Sequence, residues 1–83
     1  MAYFARIDVA IRVWVSERMI FVELSDKRQI GVPADRFRAI RNLSDTDLAR
    51  AELGRNGQTV EWPSAGAGLN LDSIVQGRFD VAD

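Results

Sequence analysis

The stretch RIDVAIRVWV, Arg6 to Val15, alternates without a break. Ile7, Val9, Ile11, Val13 and Val15 fall on one face; Asp8, Ala10, Arg12 and Trp14 fall on the other. A period of two carried by β-branched residues predicts a strand with one buried face, since a helix would repeat its apolar stripe at about 3.6 residues. Such a face needs neighbouring strands, and the next residues supply them. Ser16, Glu17 and Arg18 make a short polar connection into Met19 to Leu24, a second strand with Ile20, Val22 and Leu24 on one side. Ser25-Asp26-Lys27 is a polar turn whose Asp can bond its own backbone, and Arg28 to Val32 is a third strand stopped by Pro33. Strands joined this tightly predict a three-stranded antiparallel meander.

After Pro33 the period lengthens. In ADRFRAIRNL, Phe37, Ile40 and Leu43 share a stripe while Arg38 and Arg41 face away, which predicts a short amphipathic helix. Ser44, with Asp47 three residues on, has the spacing of a capping box, so a second helix is expected to run to Leu53 with Gly54 at its C′ position. GRNG reads as a turn, Gln58 to Trp62 as a fourth strand, and Leu69 to Val75 as one helical turn capped by Asn70 or Asp72 and ended at Gly77. The expected architecture is α+β: a small antiparallel sheet, the meander plus a fourth strand, with short helices on one face in the order β-β-β-α-α-β-α. With 83 residues, 1–83 is expected to be a single domain, ordered from about 6 to 77, with 78–83 a frayed tail.

Composition narrows the chemistry. The chain contains neither cysteine nor histidine. That removes disulfides, the usual zinc ligands, the Ser-His-Asp and Cys-His nucleophile systems and the commonest neutral-pH base. No metal, cofactor or catalytic residue is expected, and the chain is read as not an enzyme. Arg6, Asp8 and Arg12 interrupt the apolar opening, so no signal or membrane segment is expected and a cytoplasmic protein is the simpler reading. The net charge is −1, yet Met1 to Leu43 carries eight Lys/Arg against five Asp/Glu, and Ser44 to Asp83 three against seven. A surface polarised this way suits self-association or a basic partner better than autonomous nucleic-acid binding.

Four groups of residues invite a functional reading, and each has a plain structural one. Gly66-Ala67-Gly68 lacks the Lys-Ser/Thr of a P-loop and the third glycine of a dinucleotide fingerprint, so an ordinary turn is expected. Trp62, before Pro63, either caps the core or anchors a partner, with core the preferred reading; Trp14 lies opposite the apolar stripe, so another element or a partner must cover it. Arg36, Arg38 and Arg41, with Lys27 and Arg28 nearby, either meet phosphates or form a solvated face diluted by Asp35. Asp45, Asp47, Glu52, Glu61 and Asp72 are accounted for by helix starts and caps rather than by an ion site. The candidate partner interface is therefore Trp14, Arg36, Arg38, Arg41 and Trp62.

The order of motifs resembles a known family. VPADRF (Val32 to Phe37), TVEWP (Thr59 to Pro63) and LNLDSIVQG (Leu69 to Gly77) are similar to motifs of the bacterial and phage domain-of-unknown-function family 2442, over roughly Val9 to Gly77. Its members often carry an acidic run after the Trp-Pro pair; here Ser64 to Gly68 stand instead. The resemblance implies no established catalysis. Some members look like antitoxins encoded beside another small protein, and others precede a helix-turn-helix domain. The function expected is a non-enzymatic protein–protein interaction module, antitoxin-like, that binds and neutralises a small basic toxin. The alternatives are a phage-encoded inhibitor of a host defence complex and an accessory domain of a nucleic-acid-binding regulator. A homodimer through the face around Trp14 is also expected, because a core this thin gains from association.

Overall fold

The computed structural model describes residues 9–77. The expected strand residues Arg6 to Asp8 and the frayed tail 78–83 lie outside them. The meander forms as the alternation predicts. Strands β1 (Ala10–Ser16), β2 (Met19–Leu24) and β3 (Gln29–Pro33) pair antiparallel in that order. Val13 faces Val22 and Val15 faces Ile20, while Ile30 and Val32 complete the same face from β3.

The first turn of β1 departs from the expected alternation. Ala10 pairs with Leu24 and Arg12 with Glu23, so Ala10 and Ile11 together oppose one residue and form a β-bulge. The extra residue reverses the facing beyond it: Ala10 is buried, and Ile11, expected in the core, is 49% exposed. A small residue is required at the buried position because the backbone of Gly57 packs there. A Cβ on Gly57 would stand 2.4 Å from the Ala10 carbonyl oxygen.

The chain then builds a second meander. The expected fourth strand is its centre: β4 (Glu52–Gly54), β5 (Thr59–Trp62) and β6 (Ala67–Asn70) pair antiparallel in that order. The fold is α+β and strand-rich, with two three-stranded sheets in place of one four-stranded sheet. The helix expected to run to Leu53 is the single turn α1 (Asp45–Leu48). Its start is as read, since the Ser44 hydroxyl accepts the Asp47 N–H at 3.1 Å. Its continuation fails on geometry. Leu48 and Leu53, five residues apart, would stand about 140° apart on a helix. Paired in β4, Leu53 faces Val60 instead, and Gly54 is extended rather than left-handed.

The stripe Ala34, Phe37, Ile40 does enter the core, and Leu43 is half-buried against it, but not as an α-helix. Successive N–H groups at Phe37, Ile40 and Leu43 donate to carbonyls three residues back, and Phe37 itself is extended (φ −109°, ψ 118°). A repeat of three matches 3-10 geometry, which stacks positions i and i+3. Helix α2 (Leu71–Gln76) follows Asn70 and ends at left-handed Gly77, as expected. It touches both β6 and β3, closing one side of the space between the sheets. One cluster fills that space: Ile20, Val22, Leu24, Phe37, Ile40, Leu48, Val60, Trp62, Leu71 and Ile74 are its large members.

Candidate interaction surfaces

Trp62 is the largest buried side chain and has no exposed area. Its indole N–H donates to the Leu48 carbonyl at 2.9 Å, satisfying a backbone acceptor at the end of α1. It therefore leaves the candidate interface. Alternation along β5 turns Val60 and Trp62 inward, and the group that satisfies the indole lies fourteen residues away in sequence.

Trp14 lies on the outer face of the first sheet, where its neighbours cover it. Its ring stacks on Phe21 directly across the strand pair, with centroids 5.5 Å apart at 16°. Phe21 in turn lies over Gly31, where a Cβ would stand 2.6 Å from the ring. On the same strand, the Arg12 guanidinium sits 4.5 Å from the Trp14 centroid and pairs with Glu23 at 3.1 Å. The ladder Gly31, Phe21, Trp14, Arg12, Glu23 thus packs side by side across the sheet. Trp14 and Phe21 are half-buried within it, and the large exposed hydrophobic among the described residues is Ile11.

Arg36, Arg38 and Arg41 are exposed on the 3-10 segment, held outward by the inward run of Phe37 and Ile40. The residue that fixes this segment is one the sequence reading passed over. Arg18 donates through Nε to Asp35 at 2.9 Å and through one terminal nitrogen to Asp45 at 2.7 Å and the Leu43 carbonyl at 3.1 Å. Its other terminal nitrogen reaches the Arg41 carbonyl at 3.1 Å. The hydrogen bonds to Asp45 and then Asp35 raise the already high guanidinium pKa, so Arg18 stays charged at every relevant pH. Glu17 and Arg18 form a two-residue hairpin loop at φ 50° and 63°, where Asn-Gly is the usual pair. A Glu-Arg pair at such a site is the one trace in the sequence that something other than turn chemistry selected the residues.

The remaining expected groups disperse. Gly66 is left-handed with nothing within 4 Å, and Ala67 and Gly68 belong to β6, so the loop is half turn and half strand. Asp45 is held by Arg18 and Asp72 accepts from Gln76. Asp26 is pulled below the ordinary carboxyl range, first by the Arg28 backbone N–H and then by its side chain. No three acidic residues converge as a metal site among the described residues. A shallow groove of about 420 Å³ between Arg55, Gln58, Thr59, Asn70, Leu71 and Asp72 has two of its polar side chains already bonded, Thr59 to Glu61 and Asp72 to Gln76.

The second sheet carries the notable charge arrangement. Glu52 of β4 stands directly opposite Glu61 of β5, both on the face turned away from Val60 and Trp62. Gly54 and Gly68 flank Glu61 on that face, so no larger side chain rises beside it there.

Residues 10–80 match the family model described as Protein of unknown function (DUF2442). The chain belongs to that family. No curated protein matches it. Two solved structures share its fold. One is a protein of unknown function from Rhodospirillum rubrum, 18% identical, with TM-score 0.84 over 92% of this chain and 94% of that one. The other is an uncharacterized protein from Chromobacterium violaceum, also 18% identical, with TM-score 0.74 over 89% of this chain and 70% of that one. Both likenesses concern the DUF2442 fold. Among the described residues, no helix is long and apolar enough to cross a membrane.

Proposed function

We propose that this DUF2442 domain is a non-enzymatic, cytoplasmic protein–protein interaction module, antitoxin-like, that binds and neutralises a small basic toxin. The observation that carries the reading is the cross-strand pair Glu52 and Glu61. Like charges placed directly opposite in a sheet destabilise the domain that holds them. A cationic partner relieves that repulsion, so the cost to the free domain becomes a gain in the complex. Opposed charges across an interface act chiefly on the rate of encounter and on the choice of partner. A chain without His or Cys is also better equipped for contact than for turnover.

The double variant Glu52→Gln, Glu61→Gln tests this with two readouts of opposite sign. The free domain should gain about 0.5 kcal/mol in urea unfolding. Association with the small basic protein encoded beside it should slow by roughly tenfold at low salt and lose most of its salt dependence. Absence of any complex on co-expression, or a complex indifferent to the double variant, refutes the reading.

A further inference from the structure

We infer that strand β6 is a self-pairing edge, through which two copies of the chain join their second sheets into one six-stranded sheet. The inference is independent of the toxin-binding reading and concerns a different part of the sheet.

The backbone of β6 defines the available groups. The Leu71 N–H donates to the Gln58 carbonyl directly opposite, which makes Gln58 and Leu71 a hydrogen-bonded pair. Antiparallel ladders alternate, so Val60 with Leu69 and Trp62 with Ala67 are bonded pairs as well. Gly68 and Asn70 then direct their N–H and C=O groups away from β5. Among the described residues no strand lies on that side of β6, and both residues are exposed.

The other edges are blunted in recognised ways, and β6 is not. Strand β1 carries the bulge and Arg12, β3 ends in Pro33 beside α2, and β4 has three residues including Glu52. The β6 sequence, Ala-Gly-Leu-Asn, has no charge, no proline and no register shift. A second copy fits it. Antiparallel pairing about Leu69 sets the Gly68 N–H on the Asn70 carbonyl of the second copy and the Asn70 N–H on its Gly68 carbonyl, and the reverse. Each Asn70 side chain then stands across from a glycine, without a clash. The two Glu61 residues are three strand spacings apart, about 14 Å, beyond the Debye length of about 8 Å at physiological salt. The contact is short, so the dimer is weak and concentration-dependent. The homodimer expected around Trp14 is thereby relocated, since the ladder already covers Trp14.

Sedimentation and amide spectra over a concentration series test the inference. The wild-type mass should rise from monomer toward dimer, with the Gly68 and Asn70 amide signals shifting together. Gly68→Pro removes an N–H that β5 does not use and should hold the monomer mass throughout. Should that variant fail to fold, Gly68→Lys serves in its place. Its Cβ has ordinary clearance, Glu61 opposite can pair with it, and its ammonium groups gather about the two-fold axis. A wild type that stays monomeric overturns the inference. So does a folded variant that associates as the wild type does.

Discussion

Arg18 concentrates more of the fold in one side chain than any other exposed residue described. Its planar fork joins the first hairpin to Asp35, Asp45 and two carbonyls of a segment that has little regular hydrogen bonding of its own. Arg18→Ala should leave the two sheets intact and speed hydrogen exchange at the Ile40, Arg41 and Leu43 amides, whose turns it clamps. Lys at this position should not restore protection, because one ammonium cannot reproduce the spread of three nitrogens. Glu17→Asn, beside it, should raise the urea midpoint, since Asn accepts positive φ more readily than Glu. Protection unchanged in Arg18→Ala would show that Phe37 and Ile40 hold the segment by burial alone.

Among the elements, the turn 55–57 decides how the sheets meet. Arg55, Asn56 and Gly57 all have positive φ, and Gly57 touches the backbone of the bulge in β1. Gly57→Ala therefore meets both a backbone and a packing penalty and should cost about 2–4 kcal/mol in urea unfolding. Gly66→Ala meets the backbone penalty alone, because the space around Gly66 is open, and should cost about 1 kcal/mol. Equal losses in the two variants would mean that the sheets do not depend on contact at Ala10. The same contact explains why a bulge, rather than continued alternation, occupies the start of β1. A regular strand would turn Ala10 outward and Ile11 toward the second sheet.

At the scale of the molecule, one buried cluster draws on both sheets, the 3-10 segment and both helices. Neither meander has an apolar face that it can satisfy by itself, so the domain should unfold as one unit. The two tryptophans allow a direct check, because Trp14 reports the first sheet and Trp62 the second. In Trp14→Phe and in Trp62→Phe, the fluorescence transition of the remaining indole should coincide with loss of far-ultraviolet dichroism. Trp62→Phe should also be less stable by about 1–3 kcal/mol, as the buried Leu48 carbonyl loses its donor. Separate transitions for the two probes would divide the molecule into two folding units.

What could be read from the sequence was whatever short-range chemistry sets. Alternation through Val15 and Leu24 defined the first meander, Ser44 the start of α1, Gly77 the end of α2, and the missing His and Cys a narrow range of chemistry. The stripe Phe37, Ile40, Leu43 was legible as well, although a spacing of three suits a 3-10 turn and a helix alike over so few residues. Strands β4 and β6 are three and four residues long, too short for a period to declare itself, and form because β5 offers two edges to pair with. The bulge answers to Gly57, the Glu17-Arg18 loop to carboxylates seventeen and twenty-seven residues away, and Trp62 to a carbonyl in α1. Each is a contact between segments distant in the chain, and such contacts exist only once the sheets have met.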